Sequence, residues 1–211
     1  MIQAAPRFLA LGDSYTIGEG LASAEAWPWQ LRRVLAREGV ALAPPRILAT
    51  TGWTTDELAA ALDRACFAPP YDLVSLAVGV NNQYRGRDGE NYRVEFADLL
   101  GRAVALAGAR AARVLVVSIP DWGVTPFARA QGRDRARIGR EIDALNALAR
   151  EASAAVGAAF VDVTAISRDP AAAQLLVGDG LHPSAAQYAL WVAAIRPFAL
   201  AALGMRTASP R

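Results

Sequence analysis

Disulfide bonding within the chain is excluded at once, because its 211 residues include one cysteine, Cys66. No oxidative staple holds the fold together. Cys66 closes an apolar helical segment and is expected to be a small buried hydrophobe; the other role for a lone thiol, nucleophile, finds no histidine nearby in sequence. Histidine is as scarce, with His182 its one occurrence. Long apolar runs are missing as well. No stretch reaches the roughly 20 residues that cross a bilayer, so no integral membrane segment is expected. Met1 to Phe8 lacks the basic start and long apolar stretch of a secretory signal, and the expected location is the cytoplasm. Charge is almost balanced, at +2. The arginines are dispersed apart from one run, Arg129, Arg133, Arg135, Arg137 and Arg140, which reads as a solvated helix start. A nucleic-acid surface needs a broader basic face and a recognition motif. Neither is evident, and no nucleic-acid partner is expected.

What is present is an ordinary globular balance, 54% hydrophobic and 20% charged. The length suits one well-buried domain over 1–211, with a core of about 7–203. Short apolar strands are expected at Arg7 to Leu11, Arg46 to Ala49, Asp72 to Val78, Arg113 to Ile119 and Ala159 to Val163. The third and fourth are apolar nearly throughout, as parallel strands covered on both faces are. Helical patterns lie between them. One starts at Pro28 and stops at Gly39. One follows a capping box of Thr54 and Glu57. One carries Phe96, Leu99, Leu100 and Ala103 at spacings of three and four, and one carries Ile138, Ile142, Leu145 and Ala149. A last helix runs from Ser184, with Gln187 as a second capping-box partner, to Leu203. The tail from Thr207 reads as loose. Strand and helix alternate five times, which predicts an α/β fold with a doubly wound, largely parallel sheet. In that architecture ligands bind beyond the carboxyl ends of the strands. Ser14 follows the first strand, Gly52 the second and Asn81 the third, so all three fall on one rim.

His182 lies in Asp179-Gly180-Leu181-His182-Pro183, just ahead of a helix cap. An aspartate three residues away can hold one ring nitrogen and leave the other for a hydroxyl. Imidazole, with a reference pKa of about 6.5, accepts and returns a proton near neutrality. Ser14 sits in a glycine-rich turn at the end of a strand and reads either as a cap or as a nucleophile. As a nucleophile it needs a base to take its proton, which makes that reading depend on His182 folding back to it. Asn81 and Gly52 read as an Asx turn and a turn glycine, or as hydrogen-bond donors to an oxyanion.

These segments resemble the SGNH hydrolases, the GDSL-type esterases and lipases. Ala10-Leu11-Gly12-Asp13-Ser14-Tyr15-Thr16 is similar to the block that carries the nucleophile, Gly52 to the glycine block, Gly79-Val80-Asn81-Asn82 to the block of the oxyanion asparagine, and Asp179-Gly180-Leu181-His182 to the block of the acid and base. The four blocks span residues 10 to 183 in order. The resemblance implies a three-layer, flavodoxin-like α/β/α sandwich on a five-stranded parallel sheet. It implies a triad of Ser14, Asp179 and His182, an oxyanion hole from the Ser14 and Gly52 N–H groups and the Asn81 side chain, and no metal or organic cofactor. Two departures stand out. Tyr15 replaces the commoner leucine, and Asn82 replaces the commoner aspartate, keeping its size but not its charge.

The expected activity is therefore hydrolysis of carboxylic esters through an acyl-enzyme on Ser14. Tyr15, Trp53, Tyr84, Arg85, Trp122 and Phe127 occupy strand-end loops, where they either line an acyl or alcohol pocket or pack against neighbours. The long loop between Pro120 and Arg137 is a candidate cover. Nothing in the sequence reads as a large lid, which favours a short to medium acyl group on a small-molecule, lipid or carbohydrate ester. Carbohydrate deacetylation, acyl transfer by the same triad and a catalytically silent binding module are the alternatives.

Overall fold

The computed structural model describes residues 4–205. Five parallel strands form one sheet in the order β2-β1-β3-β4-β5. They are β1 (Phe8–Gly12), β2 (Arg46–Ala49), β3 (Leu73–Ala77), β4 (Val114–Val117) and β5 (Ala159–Val161). This is the flavodoxin-like order, with its switch point between β1 and β3. The three central strands are buried along their whole length, whereas β2 and β5 are partly covered edges. The continuous apolar runs of β3 and β4 are explained by that position, since each is packed on both faces.

Nine α-helices accompany the sheet among the described residues. They are α1 (Ser14–Ile17), α2 (Trp27–Arg37), α3 (Thr55–Arg64), α4 (Val80–Tyr84), α5 (Gly89–Leu106), α6 (Pro126–Ala130), α7 (Arg135–Val156), α8 (Thr164–Arg168) and α9 (Ala185–Ala202). Helices α2 and α9 pack together as one outer layer, and α3, α5 and α7 form the other. Pro28 occupies the first turn of α2, where its missing N–H costs nothing. The Thr54–Glu57 capping box starts α3, with the Thr54 N–H donating to Glu57 Oε2 at 2.9 Å.

Several sequence expectations are corrected. Cys66 lies beyond the end of α3, which stops at Arg64, and is exposed. At the start of α9 only half of the expected box forms. Ser184 Oγ accepts the Gln187 N–H, but the Gln187 amide turns inward and donates to the Ala172 carbonyl at 2.6 Å. The segment after Pro120 is no long loop. It holds a 3₁₀ turn at Trp122–Val124 and then α6, before α7 begins. Its arginines are exposed around the start of α7, as expected, with Arg135 Nε donating to the Gly123 carbonyl and Arg137 pairing with Glu141. Finally, α9 is long and apolar enough to cross a membrane by length and composition, a run the sequence reading passed over. Its Tyr188, Trp191, Val192, Ile195 and Ala199 are buried, and the helix packs on α2 and on β4 and β5. Arg196 reaches out to Glu38 of the α2 cap. The apolar face of α9 is core. The expected loose tail lies outside the described residues.

Candidate active site

The chain leaves β1 at Gly12 and turns at once into α1. Asp13 caps that short helix, its carboxylate accepting the Tyr15 N–H at 3.0 Å. Ser14 is the first helical residue and is 4% exposed. At the far end of the sequence, a turn brings His182 back to it. Leu176 and Pro183 form an isolated antiparallel bridge, and the Val177 N–H donates to the His182 carbonyl at 2.9 Å. Within this turn Asp179 Oδ1 accepts the N–H groups of Leu181 and His182, at 2.8 and 3.0 Å.

The result is a hydrogen-bonded series. Asp179 Oδ2 lies 2.6 Å from His182 Nδ1, and His182 Nε2 lies 3.0 Å from Ser14 Oγ. Burial acts to raise the Asp179 carboxyl, but the His182 ring and the two amide N–H groups outweigh it and hold the carboxyl below its usual range. With Nδ1–H donating to that carboxylate, Nε2 is left to accept the Ser14 proton. The ring of Tyr15 packs beside the imidazole at 5.3 Å between centroids and stacks in turn on Trp191. The leucine-to-tyrosine departure thus supplies a wall behind the histidine.

Gly52 and Asn81 complete the third side. Gly52 adopts φ +84°, the left-handed region that a side chain disfavours. Gly79, at φ +135°, precedes α4, and a Cβ there would come within 2.8 Å of both the Tyr92 and Ile119 side chains. Glycine is therefore required to swing Asn81 onto the rim. Asn81 Nδ2 donates to the Trp53 carbonyl at 2.9 Å. Among the described residues, neither the Ser14 nor the Gly52 N–H donates to a protein group. Both remain available to an oxygen placed between them.

Ser14, Gly52, Asn81 and His182 share one pocket of about 220 Å³ with Tyr15, Thr51, Val80, Tyr84, Trp122, Phe127 and Leu181. Trp122 meets Tyr84 and Phe127 edge to face, at 5.4 and 6.2 Å. Its indole N–H donates to Gln83 Oε1, and Gln83 Nε2 donates to Glu141, both at 2.7 Å. Of the six residues expected to line a pocket, Tyr15, Tyr84, Trp122 and Phe127 do so. Trp53 and Arg85 are not among the lining. Trp53 offers its carbonyl to Asn81, and the Arg85 guanidinium donates to the Gly52 carbonyl at 2.6 Å and pairs with Glu57. Both act on the loop that carries Gly52. Thr51, Val80 and Leu181 are lining residues that sequence reasoning missed, although each neighbours a motif residue. Gln83 and Glu141 were also missed, and no local signal links two residues 58 positions apart. A larger hollow of about 490 Å³ lies at the ends of β4 and β5. It contains none of the triad, and its Arg150 and Arg168 are paired with Asp162 and Asp143.

A serine, a histidine and an aspartate in hydrogen-bonded series, at the carboxyl rim of a flavodoxin-order sheet, define a serine hydrolase. The sequence matches the model of the GDSL-like lipase/acylhydrolase family over residues 10–190, and the chain belongs to that family. It is an ester hydrolase. No curated relative matches the chain. Among solved structures, the fold is similar to that of a lipase/acylhydrolase from Enterococcus faecalis, with 22% identity and a TM-score of 0.75, covering 96% of this chain and 100% of the other. It is also similar to TesA, with 21% identity and a TM-score of 0.71, covering 93% and 99%. A variant of the acetyl xylan esterase Axe2 from Geobacillus stearothermophilus aligns with 20% identity and a TM-score of 0.69, covering 99% of each chain. At these identities the likeness is one of fold.

Proposed function

We propose that the protein hydrolyses carboxylic esters of short to medium acyl chain through an acyl-enzyme on Ser14. The observation that carries this reading is the series Asp179–His182–Ser14 opening into a small pocket with apolar walls. His182 Nε2 takes the Ser14 proton as Oγ attacks the ester carbonyl. The carbonyl oxygen becomes an oxyanion held by the Ser14 and Gly52 N–H groups and the Asn81 amide, donors that gain strength as charge develops. His182 then protonates the departing alcohol. Water enters, gives a proton to His182 and attacks the acyl carbonyl, and Ser14 leaves with that proton. Asp179 keeps the ring oriented and offsets the positive charge of each imidazolium. The chemistry calls for no metal or organic cofactor.

A short to medium acyl chain suits a pocket of about 220 Å³ walled by Tyr15, Val80, Tyr84, Trp122, Phe127 and Leu181. A carbohydrate deacetylase is the second reading, favoured by Tyr84, an aromatic residue that lines the pocket and is 41% exposed. The test is hydrolysis of p-nitrophenyl esters from acetate to palmitate, with S14A protein as control. Turnover peaking near butyrate or hexanoate and absent in S14A supports the reading. A maximum at acetate shifts it to deacetylation. Equal rates for both proteins on every ester overturn it.

A further inference from the structure

Helix α4 and its C-cap residue Arg85 hold the segment from Gly52 to the first residue of α3 at three points. Two are the Asn81 and Arg85 contacts to the Trp53 and Gly52 carbonyls. The third is Asn82, which is wholly buried, at 0% exposure. Its Oδ1 accepts the Thr55 N–H at 3.1 Å, and its Nδ2 donates to Thr55 Oγ1 at 2.6 Å. The Thr55 hydroxyl donates onward to the Glu95 carboxylate of α5. Proton count fixes the direction of this chain. Thr55 has one hydroxyl proton, which goes to Glu95, so its oxygen needs a donor on the other side. The Asn82 amide is that donor. A carboxylate at position 82 has no proton to give, and it would face Glu95 across a single hydroxyl in a buried place where like charges repel strongly.

We propose that Asn82 is a positioning residue for the oxyanion hole, and that an amide works at this position because Glu95 supplies the negative end of the Asn82–Thr55–Glu95 chain. The inference rests on the reading of Gly52 and Asn81 as oxyanion donors. Asn82 adjoins Asn81 and bonds the residue three places after Gly52, so it sets the spacing of both donors. A shift of about 1 Å in such a site costs roughly 10²-fold in rate.

The experiment measures kcat and KM for p-nitrophenyl butyrate in the unmodified protein and in N82D, E95Q, N82D/E95Q and N81A. N82D is expected to lose at least about tenfold in kcat with KM within about twofold, as a group that acts in the transition state should. E95Q alone loses about two- to threefold. N82D/E95Q recovers to within about threefold of the unmodified protein, because one carboxylate then accepts the Thr55 proton as before. If N82D keeps full kcat, or the double variant is no better than N82D, the inference is overturned. If N82D does not fold, Thr55 carries the test: T55S retains kcat, T55A loses it at unchanged KM, and equal values for the two overturn the proposal. N81A separates this inference from the reading beneath it. Full kcat in N81A removes Asn81 as an oxyanion donor and the proposal with it, whereas loss in N81A without rescue in N82D/E95Q removes the Asn82–Glu95 coupling alone.

Discussion

Asp13 sits one residue before the nucleophile and is almost wholly buried, with its own and the Tyr15 N–H as its opposing stabilisers. Desolvation outweighs those bonds and pushes its carboxyl up to about 7. The folded protein therefore binds this proton more tightly than the unfolded chain does. The sign of the consequence follows from linkage. Its contribution to stability is fullest below about pH 4, near the unfolded pKa, and is lost as pH rises towards 7. Asp179 works in the opposite sense. Its carboxyl is held low by the His182 contacts, so its contribution is present above about pH 4 and lost as pH falls further. D13N removes the first effect while its amide oxygen still accepts the Tyr15 N–H. Thermal melts from pH 4 to pH 8 should show the Tm of D13N gaining on that of the unmodified protein as pH rises. Parallel curves would mean that the ionised Asp13 carboxylate is tolerated in the folded state.

At the scale of elements, the pocket wall is built by the turn between β4 and α7. Trp122 is 2% exposed, yet one side of it faces the pocket. Asp121 anchors the turn, accepting the Gly123 N–H at 2.8 Å and Arg168 Nε of α8 at 2.9 Å. W122A opens the wall and leaves Gln83 Oε1 without its donor. A loss of about 3–5 kcal/mol is expected in urea unfolding, as for other buried tryptophans cut to alanine, together with a shift of the ester optimum towards longer chains. An unchanged optimum would place the acyl group elsewhere. The sequence made Trp122 a candidate but read its surroundings as a cover loop, because proline and glycine spaced along it mask helices of three to five residues. The strands and long helices were legible within a few residues because hydrophobic period and capping are local. The Gln187 amide and the Cys66 thiol were misread because their outcome depends on which distant element passes over them. Trp53 and Arg85 lie on the rim the sequence indicated and contact the Gly52 loop, a detail that a loop position does not reveal because it does not show which way a side chain turns.

For the molecule as a whole, the decisive fact is that Ser14 and His182 are 168 residues apart and yet in hydrogen-bond contact. Three of the four motif blocks sit at the ends of β1, β2 and β3, which the sheet order brings together, and the fourth lies in the turn that leads into α9. No local pattern holds the two residues in register. The serine depends on β1 at the centre of the sheet. The histidine turn depends on the Leu176–Pro183 bridge, on Gln187 reaching Ala172, and on α9, whose Trp191 and Tyr188 lie in the core. The Tyr188 hydroxyl donates to the Tyr15 carbonyl at 3.0 Å, which fastens α9 to the nucleophile's own helix. Detaching the histidine turn therefore means withdrawing α9 from the core, an event comparable in size to global unfolding. Labelling of Ser14 by a fluorophosphonate probe reports the intact triad, since the serine reacts only when its base is in place. In a urea series, labelling and far-UV circular dichroism are expected to fall at one midpoint, the mark of a single cooperative transition. Labelling lost at lower urea than the dichroism would show that the histidine turn opens by itself and that the active site is less stable than the sheet that carries it.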